Sequence, residues 1–145
     1  MCLDNVTSLT FEEIEGEGWK FVRAFSDETY YPVIMWSNKD IPYNSWTACS
    51  EDESRRAFWG YPAGFHMFET KQDAMKYYSN HLSIYDHYKN FHLVKVKYRN
   101  ILARGLQLGI PVIVTQWQNV AKPAVVKSVQ HWINNINREC EDVPV

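Results

Sequence analysis

HLVKVKYRNILARGLQLGIPVIVTQW, residues 92–117, is the stretch whose reading decides the fold class. Its first eight residues alternate without a break: Val94, Val96 and Tyr98 point one way, Lys95, Lys97 and Arg99 the other. That two-residue period belongs to a strand buried on one face, so a core face and a basic face are expected. IPVIVTQW, residues 110–117, is a β-branched run suited to a central strand, and the intervening NILARGLQLG carries the glycines expected of turns. Residues 91–117 therefore read as antiparallel strands.

Upstream, WKFVRAF (19–25) alternates rings and apolar groups with Lys20 and Arg23, and YYPVIMW (30–36) reads as its returning partner in a hairpin. Pro32 lacks a ladder donor and pushes that partner toward a sheet edge or a strand start. Residues 1–18 are acidic, end in EGEG and read as a leader feeding the first strand. Residues 37–57 are polar and rich in turn formers, a long loop carrying Tyr43 and Trp46, with room for a short strand near Trp46.

FWGYPAGFHMFET, residues 58–70, combines turn, short strand and approach to a helix. Alternation places Phe65 and Met67 on one side and His66 and Phe68 on the other. Thr70 and Asp73 have the spacing of a capping box, and Ala74, Tyr77, Tyr78 and His81 then form one helical stripe over about 71–81. KPAVVKSVQHWINNINREC has Pro123 at a first-turn position, followed by apolar residues at helical spacing, which predicts a second helix over about 123–139. The expected class is α+β: a mostly antiparallel sheet covered by two helices.

With 145 residues, the chain suits one core, so a single domain over 1–145 is expected. Charge is segregated along it: residues 1–86 sum to −7, 87–138 contain no acid and sum to +8, and 139–145 add −3. A basic stretch of this kind gives a phosphate-attracting surface, unless the two portions neutralise one another across the fold. No apolar run approaches the roughly 20 residues of a membrane span. A cytoplasmic location is expected, with Cys2, Cys49 and Cys140 as reduced thiols.

Motifs exclude more chemistry than they suggest. There is no phosphate-binding glycine loop, no nucleophile elbow and no H-E-x-x-H, and His81, His87 and His92 do not align on one helical face, so neither a metal nor a cofactor is expected. His66 reads either as a histidine bonded to a carbonyl near the core or as a ligand contact. Lys95, Lys97 and Arg99, extended by Arg104, recur at about 7 Å, close to the phosphate spacing of a nucleic-acid strand. No RNP pattern and no ring on that face accompany them, which disfavours sequence-specific nucleic-acid reading.

YPAGFHMFETKQDAMKYY, with HLVKVKYRNILARG and IPVIVTQW after it, resembles small proteins encoded by bacteriophages and prophages, over about residues 60–117. In that group a Gly-Phe-His element precedes a helix. No single activity is settled for it, so the resemblance implies a genomic setting: accessory proteins that bind and block host machinery, defence systems included. The expected function is a non-enzymatic inhibitor of a host protein, with Tyr43, Trp46, Trp59 and Tyr61 as partner-binding anchors supplied by the aromatic excess. The alternative is a nucleotide-handling protein, either an enzyme resembling compact ADP-ribosyl-transfer domains or a sponge for a nucleotide signal. There His66, Lys95, Lys97, Arg99 and Arg104 would hold phosphate and base, with Tyr61 beside them.

Overall fold

The computed structural model describes residues 3–24, 29–32, 41–49, 57–58, 60–83 and 91–122. Their elements in chain order are β1 (Asn5–Ser8), β2 (Glu12–Ala24), β3 (Thr29–Pro32), β4 (Ile41–Pro42), β5 (Trp46–Ala48), β6 (Ala57–Phe58), β7 (Tyr61–Pro62), β8 (Phe65–Met67), α1 (Lys71–Tyr77), β9 (Phe91–Gln107) and β10 (Ile110–Val120). The α+β class and the mostly antiparallel sheet stand. Two covering helices are not matched: the described residues hold one, α1, which runs on into a π-helical turn at Tyr78–Leu82. The expected helix over 123–139 lies outside the described residues.

β9 and β10 form the hairpin that organises everything else, and every strand pairing is antiparallel. The sheet runs β4-β3-β2-β9-β10-β5, with β1 also on β9 and β8 also on β10; β6 and β7 form a separate two-stranded ribbon. Beyond β8, Phe68 exchanges backbone hydrogen bonds with Trp19 of β2, at 2.7 and 2.9 Å. The path β2-β9-β10-β8 thus returns to β2, and the sheet closes into a small barrel.

Closure creates two cores. Val22, Val94, Val96, Tyr98, Ile113 and Val120 fill the barrel together with Met67, Tyr30 and Tyr43. Phe21, Leu93, Val112 and Val114 face the other way, where Phe68, Ala74, Tyr77 and Tyr78 cover them. The predicted helical stripe is the buried one, with His81 half-buried against Tyr77 at 5.2 Å. Thr70 caps α1 by accepting the Asp73 N–H at 3.1 Å.

Three sequence readings change. The acidic stretch 1–18 is not a leader, because β1 and the first half of β2 lie within it. In EGEG the acids face outward, while Gly16 sits beneath the Tyr98 ring, where a Cβ would stand 2.4 Å from the hydroxyl. NILARGLQ is strand, not turn, and the reversal is confined to Leu108 and Gly109, both at positive φ (49° and 82°), as a two-residue hairpin loop of the type matching sheet twist requires. The segment 37–57 is partly strand: β4, the Tyr43–Asn44 turn and β5 fall within it, while 33–40 and 50–56 lie outside the described residues.

Candidate functional site

The outward face of β2, β9, β10 and β5 is built row by row from the register, since directly opposed residues of antiparallel strands share a face. One row reads Glu15, Arg99, Trp117, Ala48; the next reads Glu17, Lys97, Asn119, Trp46; Trp19 lies opposite Lys95 in a third. Three half-buried tryptophans therefore stand among alternating charges. The Arg99 guanidinium lies 3.9 Å from the Trp46 ring centroid, while Lys71 and Lys95 approach the Trp19 ring at 5.4 and 5.7 Å. Stacked this way, the cations hold Trp46 and Trp19 in place.

Acids from β2 meet cations from β9 along this face. Arg99 pairs with Glu15 at 2.8 Å and Lys95 with Glu17 at 3.0 Å. Arg104 takes Glu12 at 2.6 Å and also Glu69, which raises the guanidinium pKa and lowers that of Glu12. The row expected to track phosphates is thus neutralised at Lys95, Arg99 and Arg104. Lys97 makes no ion pair among the described residues. It lines a shallow open depression with Glu17, Asn44, Lys95, Asn119 and Ala121.

His66 lies elsewhere, half-buried beside Tyr61. The Leu3 N–H donates to the Tyr61 hydroxyl at 3.0 Å, and that hydroxyl stands 3.1 Å from His66 Nε2. The Tyr61 hydroxyl and the His66 ring thus share one hydrogen bond. Burial, helped by the Lys20 charge, pushes the His66 pKa down to about 3 despite a hydrogen bond to the Gly64 backbone. A neutral, engaged imidazole does not serve as an anion holder.

The proposed aromatic anchors separate. Trp46 is on the open face, and Trp59 lies outside the described residues. Tyr43 and Tyr61 are corrected: both are buried, Tyr43 against Tyr30 at 5.4 Å between ring centroids, and neither offers its ring to a partner. Most described rings follow them inside. Phe21, Tyr30, Phe68, Tyr77, Tyr78, Phe91 and Tyr98 are buried as well, leaving Trp19, Trp46, Phe65 and Trp117 half-buried and Phe11 exposed. A sheet that closes on itself has two cores to fill, and phenols and benzenes fill them.

Two features escaped sequence reasoning. Trp19, Trp117 and Asn119 join the face only through register, although strand parity from Lys95 and Lys97 was the available signal. Within the barrel, the Lys20 amine donates to Gln118 Oε1 at 2.8 Å, and Gln118 Nε2 donates to the Tyr30 hydroxyl at 2.7 Å. Lys20 stands 5.3 Å from the Phe65 ring centroid, and burial brings its pKa down to about 7. The Tyr43 hydroxyl, buried in the same core, has no hydrogen-bond partner. Among the described residues no three His, Cys, Asp or Glu side chains group as metal ligands, and no helix is long and apolar enough to cross a membrane.

No known protein family, curated protein or solved structure matches the chain.

Proposed function

We propose that the chain is a non-enzymatic binding protein of the phage accessory type, engaging and inhibiting a host protein in the host cytoplasm through the outer face of β2, β9, β10 and β5. The observation that carries this reading is the set of Trp19, Trp46, Trp117 and Arg99 on one sheet face, the three indoles half-buried and Trp19 flanked by Lys71 of α1. Tryptophan and arginine dominate binding hot spots because each brings a large, rigid contact area with a polar edge. Half-buried indoles already held by neighbouring cations lose little further side-chain freedom on association. The nucleotide-handling reading is the weaker one, because its row is occupied by carboxylates and His66 by Tyr61.

Affinity purification from host lysate tests the proposal with three forms of the full chain: wild type, Trp46→Ala/Trp117→Ala, and Leu9→Ser/Phe11→Ser. Leu9 and Phe11 are exposed apolar residues outside the four strands of the face, 58% and 53% accessible, and serve as the control. A partner held by the wild type and by the control but lost by the double tryptophan variant is expected. Equal recovery with the tryptophan variant, shown to be folded by its circular dichroism, removes the reading.

A further inference from the structure

We infer that Lys97, with the side-chain amides of Asn44 and Asn119, is a carboxylate-binding point, and that the partner therefore presents an acidic segment to this face. The inference rests on the binding role proposed above and specifies the chemistry of what is bound. It starts from a register detail. Glu17 is the cross-strand partner of Lys97, yet its carboxylate turns diagonally to Lys95. Among the described residues the middle cation of the row is left with no acid, and its neighbour on the other side is the neutral Asn119.

The surroundings add amide donors. Asn44 lines the same depression from the β4–β5 turn, held there by its backbone N–H on the Val120 carbonyl at 2.8 Å. Its Oδ1 accepts the Lys122 backbone N–H at 3.4 Å, and its amide protons are available to a ligand's acceptor. Among the described residues the Lys97 ammonium has no acceptor, and the Glu17 carboxylate that lines the depression is engaged by Lys95. An acceptor-only group of small size completes such a set. Trp46, opposite Asn119 on β5, borders the point with apolar surface.

Phosphates in series are the wrong complement. A nucleic-acid strand meeting this face would place successive charges against Lys97 and then against the Glu15 and Glu17 carboxylates, whereas its affinity depends on neutralising several phosphates together. One isolated carboxylate between apolar side chains meets a cation unpaired among the described residues, in the same cross-strand row as an indole. An acidic protein segment is therefore the occupant.

The test is an NMR titration of the 15N-labelled full chain with a capped tetrapeptide of alternating glutamate and leucine. Signals of Asn44, Lys97 and Asn119 are expected to move together. Binding should weaken about 3- to 5-fold in Lys97→Gln, as for an exposed ion pair, and fade near ~1 M salt, where the Debye length is about 3 Å. The inference is overturned if those signals stay still, if the glutamine counterpart of the peptide moves them equally, or if an oligothymidylate moves them at lower concentration. A host partner lost by Trp46→Ala but held undiminished by Lys97→Gln removes this inference and leaves the face reading intact. If neither variant affects capture, the face reading falls and the titration alone decides the carboxylate point.

Discussion

Raising the pH from 7 toward 9.5 should stabilise this protein, and Lys20 is the reason. Its amine sits inside the barrel with a neutral acceptor, Gln118, and no carboxylate, so protonation in the folded state is opposed by lost hydration. The fall in pKa from 10.5 to about 7 corresponds to ~5 kcal/mol at about 1.4 kcal/mol per pH unit. Between those values the unfolded chain binds more protons than the folded one. The stabilising contribution is thus complete above 10.5 and is lost as pH falls through 7. Tyr30, Tyr43 and Tyr98 act in the opposite sense: burial raises their pKa values, so above about pH 10 the unfolded chain releases phenolic protons that the fold retains. Urea unfolding followed by tryptophan fluorescence should then show a gain of roughly 3 kcal/mol between pH 7 and 9.5, a midpoint shift of about 1–3 M at the slopes usual for small domains. Lys20→Met should abolish the slope. At pH 7 the variant should also be more stable by ~2–3 kcal/mol, because the desolvation cost disappears while Gln118 loses one donor at about 1–2 kcal/mol. Wild-type stability that is flat or falling from pH 7 to 9, with Lys20→Met following the same curve, would refute a buried amine held near neutrality.

On the acid side, His66 has a folded pKa of about 3 against an ordinary 6.5, so its contribution is complete above 6.5 and is lost as pH falls toward 3. Glu12, held low by Arg104, acts in the same direction, so the diagnostic is a difference: urea midpoints from pH 6.5 to 4 should fall less steeply in His66→Gln than in wild type, and parallel curves would count against a neutral His66. Two glycine substitutions should separate crowding from backbone strain. Gly64→Ala places a Cβ 2.6 Å from the Thr115 carbonyl and 2.8 Å from Val114 Cγ1, and should cost about 2–3 kcal/mol in urea unfolding. Gly109→Ala meets nothing within 4 Å but must hold φ near 82°, and should cost only ~1 kcal/mol; the reverse order would contradict the approach of β8 to β10.

How far the sequence disclosed this fold depended on where the strand period ran unbroken. Val94, Val96 and Tyr98 declared β9 because their alternation is regular. Beyond Asn100, which takes a positive φ of 59°, the buried positions change parity to Ile101, Ala103 and Gly105, and the β10 register shifts between Val114 and Thr115. A bulge of this kind bends the strand and resets its phase, so NILARG loses the pattern of a strand while remaining one. The same bend lets the sheet close through Phe68 and Trp19, which a reading of separate strands does not contain. Helix α1 was legible for the opposite reason: its cap and its stripe are local, and Thr70, Ala74, Tyr77 and Tyr78 act within three turns of one another. The candidate site was legible only in part, through Trp46 and the parity of the basic row. Tyr43 and Tyr61 went astray because a ring in a turn-rich segment looks exposed until a second core is known to exist beneath it.

The segregation of charge along the chain finds its explanation in register. Glu12, Glu15 and Glu17 ascend β2 while their partners Arg104, Arg99 and Lys95 descend β9, the order that an antiparallel pair imposes. Each exposed pair is worth at most about 1 kcal/mol, too little to hold the sheet. Their greater effect is on alternatives, since a one-residue slip of β2 against β9 would turn its acids toward the barrel core, where unpaired charge is far more costly. An acidic N-terminal portion and an acid-free later one are therefore what two neighbouring strands of opposite sign require, with no polyanionic ligand needed to account for them. Lys97 falls outside that explanation. It occupies the centre of the row, its register partner Glu17 is committed to Lys95, and removing it would disturb no ion pair among the described residues. A cation unpaired among the described residues, in one depression with the Asn44 and Asn119 amides, is where a partner's charge has something left to meet.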